Sequence, residues 1–387
     1  MTSPSNAVDG ALRAKVSVSP PPPRPPQILI WPPVVRSSFT CCCKSDIHAF
    51  WLHNRVIAAN FIRAVFQAPV QTKMARESLP RRLFLAFTFV FVYIWCFLFK
   101  DLPRLLFQRR KKIENQVVVI TGGAMGIGKT VSKILAIQEK AKLCILDVNE
   151  KEGLKTCEEI TQEGGVAHFY RCDVSDPQDL ATVAAEIRKD PKLGAVSICI
   201  VNAAVLKFGE CQDLSYGDYK LNTNVNILGH IYTVKAFLPE MITAQKGQIV
   251  SIGSICSYYG ERYGTAYCAA KFACRGFMEA LQAEIIEKGL YNKVVLTSIF
   301  PYFVRTGFIE NLEEPYSTFF EVIPLEKCAR EIVEAILKDK QMHFIPGSIG
   351  VLCLYLKCLT TKSIIPYARK VFNFSYEPRK KSEVFDV

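Results

Sequence analysis

The sequence contains no CxxC pair, although 15 of its 387 residues are cysteine. Apart from the run Cys41 to Cys43 the cysteines stand singly, which excludes a zinc ribbon or a disulfide framework as the basis of the fold. Cys43, His48 and His53 are loosely spaced with no second cluster of ligands nearby, so no metal is expected. Acidic residues are scarce at one end only. Met1 to Lys112 carries 17 Lys plus Arg against 4 Asp plus Glu, and the remaining residues carry 31 against 32. The net charge of +12 therefore belongs to the N-terminal part. A near-neutral body lacks the basic patch that a nucleic-acid-binding domain needs, so no nucleic acid is expected as a partner. No charged cluster marks a site for a phosphorylated or CoA-linked substrate. Between Leu83 and Phe99 charge is missing altogether.

That run, LFLAFTFVFVYIWCFLF, has 17 residues. At about 1.5 Å per residue it reaches about 25 Å, at the short end for a membrane span. Arg81 and Arg82 precede it and Arg109 to Lys112 follow it, as interfacial flanks do. A membrane anchor is favoured over a buried core helix, and the heavier basic cluster after the run places the rest of the chain on the cytosolic side. Residues 1–73 read differently: a proline-rich run from Pro20 to Pro26, scattered Ser and Arg, and two acids. Such composition buries too little apolar surface to fold, so a low-complexity, disordered extension is expected. A transit peptide, or Met74 as the functional start, are the alternatives. The expected organisation is an extension over 1–73, an anchor with basic flanks over 74–112, a globular domain over 113–346, and an apolar segment with a charged tail over 347–387. Within the last, Ile349 to Leu359 is apolar but for Lys357. It reads as a membrane-adjacent lid first, then as a second membrane contact or a core helix.

The globular part alternates. Apolar runs rich in Val and Ile recur at Gln116 to Ile120, Leu143 to Leu146, Val196 to Val201, Gln248 to Ile252 and Val294 to Phe300, separated by helical stretches such as Lys151 to Glu163, Pro177 to Lys189 and Thr265 to Glu287. Fully apolar strands alternating with helices predict an α/β domain with a doubly wound parallel sheet of the Rossmann type, covered on both faces.

After the first of these strands comes Thr121-Gly-Gly-Ala-Met-Gly-Ile-Gly128, leading into a helix. Glycines there, Gly122, Gly126 and Gly128, let backbone N–H groups and the helix N-terminus approach a pyrophosphate. Asp147 ends the second strand, 19 residues past Gly128. Its carboxylate can accept from both ribose hydroxyls of NAD and would repel a 2′-phosphate, and neither Met125 nor Val148 supplies a base for that phosphate. Asp173 and Val174, after the third strand, are placed to touch adenine; a helix-capping Asp is the plainer reading of that turn. Further on, Tyr267 and Lys271 stand four residues apart and so share one helix face. A fixed positive charge beside a phenol favours the phenolate, which would let Tyr267 exchange protons with an alcohol or a carbonyl. Ser254, at the edge of the run GQIVSIGS, can hold the same substrate oxygen.

With these pieces in order, the region from about Gln116 to Pro346 resembles the short-chain dehydrogenase/reductase family. The resemblance rests on TGGAMGIG, Asn226 in VNILGHIYTVKAFLP, Ser254, and YCAAK, with Ser254 thirteen residues before Tyr267. The N-terminal anchor, KAFLP, YCAAKFA and PYFVRTGF look most like its membrane-associated branch of retinol dehydrogenases and 17β-hydroxysteroid dehydrogenases, enzymes of the endoplasmic reticulum and lipid droplets. The resemblance implies Tyr267 as acid/base, Ser254 orienting the substrate oxygen, Lys271 on the nicotinamide ribose, and Asn226 holding a water that relays protons from Lys271. It implies NAD bound by Thr121, Gly122, Gly126, Ile127, Gly128, Asp147, Asp173, Val174, Asn202, Ala203, Tyr267, Lys271, Pro301 and Thr306. Thr306 would meet the nicotinamide amide.

Two segments depart from the family pattern. Its Asn-Asn-Ala-Gly is here Val201-Asn202-Ala203-Ala204, which adds a methyl where backbone lies near the cofactor. Its Pro-Gly is Pro301-Tyr302, where Tyr302 is either a wall of the substrate pocket or a packing aromatic. Tyr258, Tyr259 and Tyr263 are expected to help select the alcohol. The function implied is oxidoreduction of a hydrophobic alcohol, retinoid or steroid, at a membrane or lipid-droplet surface facing the cytosol, with a homodimer as the family's common assembly. The competing reading is a catalytically weak or inactive membrane protein acting through protein contacts, which the altered segment at Val201 would favour.

Overall fold

The computed structural model describes residues 78–309, 315, 317–356 and 363–372. The expected disordered extension, the Cys43, His48 and His53 set, and the glycosylation sequon at Asn373, which should stay unmodified on a cytosolic domain, all lie outside the described residues. The chain divides into two units, Met1–Leu98 and Phe99–Val387.

In the first unit lies helix α1, Leu79–Cys96, with Pro80 in its first turn, where a missing N–H costs nothing. Phe84, Phe87, Phe89, Phe91 and Tyr93 are exposed, whereas Thr88 is buried and Val92, Trp95 and Cys96 are half-buried along one face. The one polar side chain of its middle, Thr88, donates its hydroxyl to the Phe84 carbonyl at 2.8 Å and so presents no unmet donor to an apolar surrounding. Helical residues continue to Asp101, giving 23 residues that include an 18-residue stretch of mean hydropathy 2.1, long and apolar enough to cross a membrane. A short helix α2, Leu102–Phe107, follows.

The second unit is built on a seven-stranded sheet: β1 Val117–Thr121, β2 Lys142–Asp147, β3 Val166–Arg171, β4 Val196–Val201, β5 Gly247–Ile252, β6 Val294–Pro301 and β7 Met342–Ile345. Their order is β3-β2-β1-β4-β5-β6-β7, and every neighbouring pair is parallel. The helices are α3 Gly126–Lys133, α4 Glu150–Gln162, α5 Pro177–Lys189, α6 Tyr216–Asn222, α7 Gly229–Thr243, α8 Thr265–Glu287, α9 Leu325–Leu337, α10 Gly347–Val351 and α11 Ile365–Phe372.

Side chains alternate across each strand, and the cores sort accordingly. Val118, Ile120, Leu143, Ile145, Ile198 and Ile200 face one side, with α3, α4 and α9 packed on them. Val117, Val119, Cys144, Leu146, Cys199 and Val201 face the other, under α5, α7 and α8. Because both faces are covered, the central strands read as continuous apolar runs. The chain reverses strand order between β1 and β4, which opens a crevice beyond their carboxyl ends, where open α/β sheets bind ligands.

Candidate active site

The crevice is lined first by the loop from β1 to α3. Gly122 (φ +65°) and Gly126 (φ +53°) take left-handed conformations that a side chain would strain. A Cβ on Gly122 would lie 2.8 Å from the Ala203 Cα, and one on Gly128 only 2.0 Å from the Gly122 carbonyl oxygen. The loop is thus pressed on itself and on the end of β4. Thr121 Oγ1 accepts from the Asn202 and Ala203 N–H groups at 3.0 and 3.1 Å. Asn202 Nδ2 donates to the Thr121 and Gly122 carbonyls at 3.0 and 2.8 Å. Thr121 and Asn202 therefore spend their side chains tying the two strand ends together, which sets the shape of the glycine loop. The nearest atoms a Cβ on Gly126 would meet belong to Thr306, at 3.8 Å, so Thr306 lies beside the glycine loop. Ile127 turns into the core.

Asp147 sits at the tip of β2. Its Oδ2 accepts from the Ala124 N–H and its Oδ1 from the Asn149 N–H, each at 3.0 Å, which orients the carboxylate beside the loop with lone pairs left for a ribose. Met125 and Val148, the neighbours that lack a base, are both more than half exposed. Asp173 Oδ1 accepts from the Ser175 N–H and hydroxyl at 2.9 and 2.7 Å, a turn of its own making, and Val174 is buried under Gly229 at the start of α7. A glycine cradle at a helix N-terminus with a carboxylate across from it fits a dinucleotide.

The second wall brings Ser254, Tyr267, Lys271 and Asn226 together. Beyond β5 the chain stays extended at Ser254, whose Oγ accepts from the Cys256 N–H at 3.1 Å and caps the short turn Ile255–Ser257. Tyr267 and Lys271 lie on the buried face of α8 with Cys274, Met278, Leu281 and Ile285, the i, i+3, i+4 pattern of a helix against a sheet. The Ser254 hydroxyl lies near enough to the Tyr267 phenol to favour its ionised form. Lys271 Nζ donates to the Ile252 carbonyl at 3.1 Å and stands 5.6 Å from the centre of the Tyr267 ring.

The helix preceding α7 widens into a π-helical turn over Thr223–Leu228, and Asn226 lies on it. Its Oδ1 accepts from the Val205 N–H at 2.7 Å, and its Nδ2 donates to the Val205 carbonyl at 2.8 Å and to Asn222 Oδ1 at 3.1 Å. Its backbone carbonyl takes the Cys274 thiol at 2.9 Å. The Asn226 side chain is thus occupied in fixing the 202–208 loop.

Electrostatics depart from expectation in one respect. Burial pushes the Tyr267 phenol well above its ordinary range, and the neighbouring Ser254 hydroxyl only partly offsets this. Burial also lowers Lys271. Two buried groups thus each disfavour their charged form.

The aromatic walls beside the phenol carry no signal in the sequence. Phe208 and Phe308 lie 6.3 and 6.2 Å from the Tyr267 ring, and Phe308 is partly exposed. Tyr263, at φ +63° and buried against Phe208 and Phe303, holds a strained backbone that its carbonyl's bond from the Gly209 N–H supports. Tyr302 is buried, with Phe303 and Phe320 at 5.1 and 5.8 Å, in the packing position rather than an open one. Tyr258 does not face Tyr267 as expected: its ring packs on Phe300 and Phe344 at 5.0 and 5.2 Å, under the Arg275 guanidinium at 3.8 Å, toward β7. The short turn after Ser254 rotates it to the opposite side. Pro301 is buried at the end of β6.

Residues 116–317 match the family model for short chain dehydrogenases. The human estradiol 17-beta-dehydrogenase 11 is 31% identical over 265 residues, 68% of this chain and 86% of that protein. The human epidermal retinol dehydrogenase 2 is 31% identical over 271 residues, 66% and 84% of the two chains. In fold, the chain is similar to an alcohol dehydrogenase from Thermococcus sibiricus solved with 5-hydroxy-NADP, with a TM-score of 0.51 at 22% identity over 59% of this chain and 94% of that one.

Proposed function

The chain belongs to the short-chain dehydrogenase family and is an oxidoreductase of CH–OH groups, and from that premise we propose that it interconverts a lipophilic alcohol of retinoid or steroid type and its carbonyl, with NAD(H), at a membrane surface. The observation that carries this reading is the buried Tyr267 phenol near Ser254, with the rings of Phe208 and Phe308 at 6.3 and 6.2 Å. A proton-transfer group walled by aromatic carbon selects an oily substrate with one polar end. The two human relatives are named for a steroid and for retinol.

A nicotinamide dinucleotide, when bound, supplies hydride exchange. The chain's own residues do the rest. Ser254 Oγ and Tyr267 Oη converge on one substrate oxygen, and Tyr267 takes its proton in oxidation or gives one in reduction. Lys271, one turn along α8, sits where it can bond the nicotinamide ribose and bring its charge to bear on Tyr267. Asn226 holds the loop at Val205 in place beneath the substrate. Gly122, Gly126 and Gly128 admit the pyrophosphate, Thr306 meets the amide, and Asp173, Val174 and Ala203 border the adenosine side. Asp147 favours NAD over NADP, because a 2′-phosphate would meet its carboxylate.

The test is a panel of retinols, hydroxysteroids and fatty alcohols assayed with NAD and with NADP. Turnover of at least one lipophilic alcohol, with the lower KM for NAD, is expected. A lower KM for NADP would refute the role of Asp147, and no turnover with either cofactor would refute the substrate class.

We also assign Leu79–Asp101 as the anchor, with the catalytic unit facing the cytosol of the endoplasmic reticulum or a lipid droplet. Two arginines at its centre, Phe89→Arg with Val90→Arg, each carry a cost of about 3 kcal/mol for insertion. The double variant is expected in the supernatant after an alkaline wash of membranes; retention in the pellet would show that the anchor lies elsewhere.

A further inference from the structure

The carboxyl ends of the strands divide the crevice. Those of β1 and β2 carry the glycine loop and Asp147, and those of β4, β5 and β6 are followed by Phe208, Ser254 and Phe308. Phe308 is 40% exposed, whereas Phe208 is half-buried and braced. The Phe208 ring meets that of Tyr267 at 6.3 Å and 45°. Its edge also fills the place of a side chain at Gly264, where α8 begins: a Cβ there would lie 2.8 Å from Phe208 Cε1 and 3.2 Å from Cys268 Sγ. Gly264 has φ −103°, so no left-handed backbone calls for glycine at that position. Ser, Thr, Asp or Asn there would cap the helix, which glycine cannot do. What glycine supplies is space, and the Phe208 ring takes it. Tyr263 packs on Phe208 and on Phe303, whose ring meets Tyr302 at 5.1 Å. The backbone is fastened on either side of Phe208. The Gly209 N–H donates to the Tyr263 carbonyl at 2.9 Å, and the Asn226 amide holds both the N–H and the carbonyl of Val205. A ring packed and tethered in this way does not retreat from an added methyl without cost.

We propose that Phe208 is the specificity-determining residue of the site: its ring occupies the space that a second carbon substituent on the substrate's carbinol carbon would need, so primary lipophilic alcohols are taken over secondary ones. This rests on the oxidoreductase reading, in which the substrate oxygen meets Tyr267 and Ser254, and it narrows the substrate class. A primary carbinol carbon carries one chain and two hydrogens. One hydrogen leaves with its electron pair to oxidised nicotinamide, the hydroxyl proton passes to Tyr267, and the C–O bond becomes the C=O of an aldehyde. In a secondary alcohol the remaining hydrogen is replaced by carbon, and that carbon meets the braced ring.

A matched pair, 1-octanol and 2-octanol, tests this in the full-length protein. Wild type is expected to favour 1-octanol in kcat/KM by about 20-fold or more, the discrimination a pocket makes against one carbon. Phe208→Ala should reduce the preference to within about threefold by raising kcat/KM for 2-octanol, with Phe208→Leu between the two. Gly264→Ala, which presses on the ring, should change the ratio by about threefold or more while Phe208 is present and by less than about twofold in Phe208→Ala. A wild type that prefers 2-octanol, a preference that survives Phe208→Ala, or a Gly264→Ala effect independent of Phe208 overturns the proposal. A second readout does not need turnover. In Tyr267→Phe with NADH present, 1-octanol should raise Tm more than an equal concentration of 2-octanol, and the difference should vanish when Phe208→Ala is added. Equal shifts in the presence of Phe208 overturn the proposal even in a protein that turns over none of the panel. A difference that depends on Phe208, found in a protein without turnover, upholds the role of Phe208 and sinks the oxidoreductase reading alone.

Discussion

Replacing Tyr267 by Phe is expected to lower kcat for alcohol oxidation by about 10³-fold, about 4 kcal/mol of transition-state stabilisation, while leaving the fold and NADH affinity in place. The change removes a single oxygen from a side chain that is 9% exposed and near Phe208 and Phe308, so the ring contacts survive. What is lost is the atom near Ser254 through which the substrate proton would pass. A pH series on the wild type gives the sign independently. Because burial holds the phenol protonated, oxidation, which needs the base form, should accelerate as pH rises through the neutral and alkaline range. Carbonyl reduction, which needs the acid form, should stay level there and decline only at higher pH. Measured as NADH formed or consumed, oxidation at the wild-type rate in Tyr267→Phe would remove Tyr267 from the reaction, and the proposed chemistry with it.

Most of the sheet was legible because central parallel strands are apolar on both faces. Val196–Val201 is read to the residue, β1, β2, β5 and β6 to within one residue at either end, and α5 and α8 to the residue. The two edge strands carry no such run. In β3, VAHFYR is partly exposed along its whole length, and β7 is only four residues with His343 within it. Their assignment depends on partners distant in sequence, which periodicity does not reveal.

The site was legible where spacing imposes geometry. Tyr267 and Lys271 share a helix face whatever surrounds them, and the glycines precede α3 as their backbone freedom requires. It was illegible where tertiary packing places a side chain. The sequence does not show that the Asn226 and Thr121 side chains are hydrogen-bonded to the backbone at 202–205. Phe208 joins the site from a loop 59 positions before Tyr267. Tyr258 lies four residues past Ser254 and faces the other way, because a single turn of tight helix intervenes.

The glycine loop yields the second large effect. Gly128→Ala is expected to destabilise the protein by about 3 kcal/mol or more, a Tm lower by roughly 5–10 °C, and to abolish measurable NADH binding at concentrations that saturate wild type. The added methyl would sit 2.0 Å from the Gly122 carbonyl oxygen, 2.7 Å from Asn202 Nδ2 and 2.9 Å from the Gly122 carbonyl carbon. Two of these three atoms are backbone, and the third is the amide that ties β1 to β4, so no flexible side chain can yield. The loop must move away from α3, which opens the bonds from Asn202 and displaces the N–H groups proposed to meet the pyrophosphate. Gly276→Ala is the control. Gly276 is exposed on α8, and a Cβ there meets nothing within 4 Å. That substitution should raise stability by up to about 1 kcal/mol through helix propensity and leave binding unchanged. Thermal melts with and without NADH separate the two. Should Gly128→Ala melt with wild type and keep its NADH-induced stabilisation, the loop would not be the tight nucleotide cradle that its contacts describe.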